Sequence, residues 1–561
     1  MKTTPFIRRI GPYAVMTALF GFFVFFLLLP VYTVVREGLR LPLLREIFTN
    51  FLYREGLLNS LAIAGVTTFL VFLIALPMAL LYDRFNFPGK SVSHLAAMVP
   101  MILPPFVGAL GFQQILGHNG VLNTLLRLAG LAPVDFLGGE GRFWSVCVME
   151  SLHLYPILYL NLVTALGNLD PALNEAAANL GAGKLRRFFR ITLPLLRPGI
   201  LAGGSIVLIW SFTELGTPLM FGYNRVAPVQ IFNGITELES NPLPYALVVV
   251  MLLFSAGLYA LGRLTLGRNA GTGAAKGTAG SAARDLPRAL RWLPTAFFGL
   301  VTLLAGLPHL ALLLAAFSRR WYGTILPQGA TLLHFDNALS NPLVVPSIIN
   351  SLDYSLLAML FALAAGVLTA LVATRWACRG GAALDLLSML PLAVPGIVIA
   401  FGYLGMAVRY EWARGLFDPE NNPLFLLAAA YAIRRLPYVV RAVTAGLEQT
   451  PVDLELAARN LGASAWRTLR RITLPLLSAN LIVGGLFAFS FSMLEVSDSL
   501  ILAQKAEYYP ITKAIYELSQ ILGAGPATAC AFGVWAMLFL GATLAAAGIL
   551  LGRRIGAIFK F

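Results

Sequence analysis

Long apolar stretches alternate with short polar ones along the whole chain. Runs of about 20 residues, each able to cross a hydrocarbon core of roughly 30 Å as a helix, fall at roughly 11–35, 57–81, 93–116, 143–167, 196–216 and 243–264. A second set follows at roughly 291–317, 348–373, 383–407, 424–447, 477–501 and 527–551. The pattern predicts an all-α membrane protein of about twelve spans. The first run is longer than a signal-peptide core and lacks a small-x-small cleavage site, so it reads as a retained span.

Two of the polar segments are near copies. Residues 176–196 and 457–477, offset by 281, are identical at 14 of 21 positions, which identifies an internal repeat. Each copy opens on a good helix N-cap followed by proline, Asp170-Pro171 and Thr450-Pro451. A short helix with small residues on one side is expected next, ending at Gly181 or Gly462 in a left-handed turn. Basic residues follow: Lys184, Arg186, Arg187 and Arg190 in one copy, Arg467, Arg470 and Arg471 in the other. Too polar to span a membrane, each copy reads as a helix-turn-helix outside it. A lone segment of this kind would rest on anionic head groups; a pattern used twice at fixed spacing favours a docking element.

The repeat extends further. Asn59-Ser60-Leu61 recurs as Asn350-Ser351-Leu352, and Pro100-x3-Pro104 recurs as Pro391-x3-Pro395, both offset by 291. Each half is therefore a six-span unit, and two units in the same orientation should pack about an axis along the membrane normal. The paired prolines are expected to kink spans three and nine. Between the halves, Gly267 to Ser281 is a Gly/Ala/Thr-rich stretch that reads as a flexible linker.

Glu175-Ala176-Ala177, a glycine six residues after the Glu (Gly181), then Ile191-x-Leu193-Pro194 resemble the coupling motif of permeases in ATP-binding-cassette (ABC) importers of type I. In the second copy Ala457, Ala458 and Gly462 fit. The position of Glu175 is taken by Leu456, and the nearest acid, Glu455, stands one residue early. The resemblance implies a fused two-domain permease similar to the iron(III) transporters. It divides the chain into a first span and outer loop (1–56), an N-terminal core (57–265), a cytoplasmic linker (266–290), a seventh span and outer loop (291–347), a C-terminal core (348–551) and a cytoplasmic tail (552–561). It implies two cytoplasmic ATPase subunits that bind ATP and magnesium, an extracytoplasmic binding protein, a bacterial inner membrane, and no cofactor in this chain. Ferric iron is the leading expected substrate; 2-aminoethylphosphonate, thiamine, polyamines and sugar phosphates share the architecture. The rival class is a twelve-span secondary transporter.

Composition and charge narrow this further. Of 561 residues, 58% are hydrophobic and 12% charged, too apolar for a soluble chain. A net charge of +15 raises nucleic acid as a partner. With the N-terminus inside, however, cytoplasmic segments collect 25 of the 41 Lys and Arg residues and outer segments 13, so the positive-inside bias explains the charge and no nucleic acid is expected. Both repeated elements then fall on the cytoplasmic side, as do both termini. Cys147, Cys378 and Cys530 lie in apolar runs without a pairing pattern, so neither disulfide nor metal site is expected. Gly89-Lys90-Ser91 mimics the end of a phosphate-binding loop, but the required earlier glycine is Arg84 and a membrane span precedes it. No catalytic set can be assembled. Candidates for the substrate path are the ionisable residues within spans, which cost free energy unless paired or hydrated. Glu214 and Glu495 match across the halves and either face a central path, where they would meet a cationic or metal-bearing substrate, or cap helix ends or salt-bridge a neighbouring loop. Arg434 and Arg435 either line a water-filled cavity or contact an anionic ligand, or one of them pairs with a carboxylate to hold helices together.

Overall fold

The computed structural model describes residues 5–551 apart from 103, 238–240, 268–282, 377 and 419–420. Most of the expected linker, and the tail 552–561, lie outside the described residues. Within them the fold is helical, with two minimal two-stranded pairings. Phe85–Asn86 runs parallel to Arg284–Asp285, and Ser318–Arg320 antiparallel to Gln328–Ala330.

Among the described residues, eight helices are long and apolar enough to cross a membrane, and eleven spans result if each of three bent pairs counts as one. The remaining expected span is present as the 26-residue helix Leu424–Gln449, which carries Arg434, Arg435 and Arg441 within it. Span nine breaks as expected from its prolines. Gly381–Leu392 and Gly396–Arg409 meet at 99°, with Pro395 extended between them. In the first half, Pro104 is likewise extended ahead of the helix Pro105–Leu116.

The recurring Asn-Ser pair has a structural role. Asn59 donates to the Arg225 carbonyl at 2.9 Å, and Ser60 accepts from the Ala227 amide at 2.9 Å. Asn350 donates to the Glu507 carbonyl at 2.8 Å, and Ser351 accepts from the Ile511 amide at 2.8 Å. Each pair pins the loop after the fifth span of its half to the second span, and so satisfies backbone groups where helix is interrupted.

The first span of each half bridges the two units. The helix Leu29–Gly38 packs on Gly396–Arg409 of the other half as well as on Leu243–Gly267 of its own. Leu293–Ala316 packs on Pro105–Leu116 of the other half and on Gly525–Leu551 of its own. Glycine makes both crossings possible. A Cβ on Gly402 would lie 2.6 Å from the Pro30 carbonyl oxygen, and one on Gly111 would overlap that of Pro308. The Tyr403 hydroxyl donates to the Phe26 carbonyl at 2.6 Å, inside the same crossing.

Backbone cannot yield as a side-chain end can. Gly402→Ala and Gly111→Ala should therefore each destabilise the protein by about 1–3 kcal/mol. Gly299→Ala, which meets nothing within 4 Å, should be neutral. Thermal unfolding in detergent reads the difference.

Candidate functional site

The two repeated segments fold alike at their turn. In the first, the Asp170 carboxylate accepts from the Ala172 amide at 2.9 Å and Pro171 opens the helix Pro171–Asn179. That helix ends in a Schellman turn: Gly181 has φ +81°, its amide reaches the Ala178 carbonyl, and the Ala182 amide reaches that of Ala177. In the second, Gly462 has φ +87°, with Gly462 bonded to Arg459 and Ala463 to Ala458. Each element then runs through a short helix, a π-turn (Phe188–Thr192 or Leu469–Thr473) and Leu-Pro-Leu into the fifth span of its half.

The entries differ. The Thr450 hydroxyl, expected to cap the second element, instead donates back to the Gly446 carbonyl at 2.9 Å, and the helix begins later, at Asp453. Preceded by Pro451 rather than capped by Thr450, Asp453–Asn460 carries its own acids in its first turn.

The surfaces are apolar where they project furthest. Leu180 and its counterpart Leu461 are each 89% exposed. Leu173, Leu185, Leu454 and Trp466 are exposed beside them at matching positions. Such a crown on a polar segment marks a contact surface. Glu175 and Ala176 are exposed on the first element, Leu456 and Ala457 on the second, while Ala177 is half-buried and Ala458 buried. Glu455 is buried too, against Arg375 and Thr473.

The four intramembrane candidates do not form one set. Glu495 is buried and pairs with both Arg434 and Arg435. Arg434 also lies 3.4 Å from the fully buried Asp498, and Arg435 donates to the Phe491 carbonyl at 3.1 Å. Two guanidinium groups and two carboxylates thus balance between spans ten and eleven. The break in span nine makes room for them, because a Cβ on Gly396 would strike the Arg434 guanidinium. Glu214 forms no ion pair with this knot among the described residues: its carboxylate accepts from the Gly216 and Thr217 amides at 3.1 and 3.3 Å and caps the helix Gly216–Met220.

In the first half the matching positions are His153, Leu154 and Thr217. There the buried acid is Glu150, which accepts from the Ser211 hydroxyl and leaves Oε1 without a hydrogen-bond partner among the described residues. Glu150 and Asp498 were missed from sequence because neither has an acidic counterpart in the repeat.

Glu495→Ala leaves two buried guanidinium groups short of charge and should cost about 3 kcal/mol or more. Glu214→Ala removes a helix cap and should cost about 1 kcal/mol. Thermal unfolding of the two variants in one detergent tests that order.

The chain matches the family model described as binding-protein-dependent transport system inner membrane component twice, over residues 71–265 and 362–551. A Haemophilus influenzae protein provisionally named a ferric transport system permease is 28% identical over 79% of this chain and 69% of its own length. A ferric transport system permease protein of Actinobacillus pleuropneumoniae is 28% identical over 78% of this chain, which spans 63% of that relative. A spermidine/putrescine transport system permease protein of Haemophilus influenzae is 32% identical over 34% of this chain and 71% of its own length.

Proposed function

Because the chain belongs to the family of binding-protein-dependent transport system inner membrane components, we propose that it forms the membrane path of an ATP-driven importer and is driven through its two repeated elements by cytoplasmic ATPase subunits. The observation that carries this reading is the pair of exposed helix-turn-helices, each with an apolar crown and each feeding directly into the fifth span of its half. A partner that closes on both elements can move both units at once. The exposed Glu175, Ala176 and Gly181, with Ala457 and Gly462, would form the contact, and Ala177 and Ala458 would pack behind it. ATP and magnesium would be held by the partner. Family membership stands against the secondary-transporter alternative, which also leaves the duplicated element without a use.

Ferric iron is the substrate best supported, through the names of two relatives that align with both halves. Polyamines are the second reading, supported by the relative that aligns with 34% of this chain. An extracytoplasmic binding protein would deliver the ligand and set most of the selectivity. The positive-inside bias supports cytoplasmic termini.

Cells expressing this chain with an ATPase and a binding protein should accumulate radiolabelled ferric iron, and an ATPase-dead control should not. No accumulation of iron with the ATPase still co-purifying would discard iron and keep the importer. In the Gly181→Val/Gly462→Val double variant a β-branched residue is forced to positive φ, at about 1–2 kcal/mol per turn. Uptake should fall about tenfold or more while the membrane domain stays folded; unchanged uptake would overturn the role given to the elements.

A further inference from the structure

Arg375 closes the eighth span, and its nearly buried guanidinium serves three neighbours. Nη2 donates to the Leu447 and Thr450 carbonyls at 2.7 and 2.6 Å, at the C-terminal end of the helix Leu424–Gln449. Nε stands 3.5 Å from Glu455 Oε1. That same oxygen accepts from the Thr473 hydroxyl at 3.2 Å. One side chain therefore joins the ends of spans eight and ten to the first helix of the second element. Glu455 carries the link on to the π-turn that re-enters the membrane domain.

The first half keeps the cation and the hydroxyl but not the acid. Arg84, the counterpart of Arg375, donates to Thr192, the counterpart of Thr473, at 3.3 Å. The counterpart of Glu455 is the uncharged Asn174. On the outside the difference is reversed: Glu175 is exposed in the first element, and Leu456 takes its place at 49% exposure in the second. A shift of one residue is about 100° round a helix, enough to carry the acid from the partner-facing side to the side that faces the spans.

From this geometry we infer that the two elements are mechanically unequal. The second is latched to its own spans by the positioning residues Arg375 and Glu455, moves with them as one body, and meets its partner through an apolar surface. The first lacks the latch, can tilt against its spans, and offers Glu175 to a basic site on the partner. The inference rests on reading both segments as ATPase-docking elements.

Amide hydrogen exchange on the full chain in detergent, and ATP hydrolysis by its reconstituted complex with the ATPase, test it together. Residues 453–460 should exchange about tenfold more slowly than 171–179. Glu455→Gln should remove that difference and raise ligand-independent hydrolysis per mole of complex about fivefold, and Glu455→Asp should restore most of both. Asn174→Glu, placed opposite Arg84, should slow exchange of 171–179. Equal exchange of the two elements in the unaltered chain would overturn the inference. So would a Glu455→Gln protein whose second element loosens while hydrolysis per complex stays unchanged, since a merely structural pair would do the same. If no ATPase binds the unaltered chain, the docking reading fails first, and that result is separate from the exchange data.

Discussion

A guanidinium group inside a bilayer must find a carboxylate there or stay wet, and the second half of this protein carries two side by side at the middle of one helix. Arg434 and Arg435 sit midway along Leu424–Gln449, where each would cost at least a few kcal/mol unpaired. Glu495 and Asp498 answer them from the region where span eleven gives way to a short helix. Much of the local architecture follows from that match. Span ten is amphipathic rather than uniformly apolar, span eleven ends early at Met493, and span nine breaks at Pro395 so that Gly396 lies against Arg434. Removing two charges of each sign from lipid in one neutral knot avoids the cost of burying any of them alone, although such a knot is not by itself a large source of stability.

The second constraint is steric. Two six-span units joined only at a linker would have a weak seam, because apolar surface gains little from leaving lipid for protein. Here the first span of each half lies across the third-span helix of the other, and Gly111 and Gly402 let backbone approach backbone there. Close packing and a few hydrogen bonds, such as Tyr403 to the Phe26 carbonyl, replace the hydrophobic drive that holds soluble domains together.

Most of this fold was legible because its signals are local or periodic. Span length, the duplicated turn at Gly181 and Gly462, and the proline breaks are each written within a few residues. The Asn-Ser pairs were visible as a repeat, but not their job, since their partners lie more than 150 residues away. The crossing of first spans was hidden for the same reason: nothing near Pro30 points to Gly402. Thr450 misled because a good capping side chain has an equally good bond backwards to Gly446, and Pro451 did not fix which would win. Glu214 and Glu495 looked like a symmetric pair because they align. Their surroundings do not align, and surroundings decide whether a carboxylate caps a helix or neutralises an arginine.

That divergence has a direction. Duplication supplies two equal halves, and each later substitution is judged by its own half alone. The charged knot of spans ten and eleven has no counterpart in the first half, where His153, Leu154 and Thr217 stand instead and Glu150 accepts from the Ser211 hydroxyl. The contact of Arg375 with Glu455 likewise has only a remnant in Arg84 and Thr192. Both differences place the stronger electrostatic ties in the second half. A chain whose halves are fused need not keep them interchangeable, as a subunit that pairs with its own copy must. One half is thereby free to become the rigid reference against which the other moves.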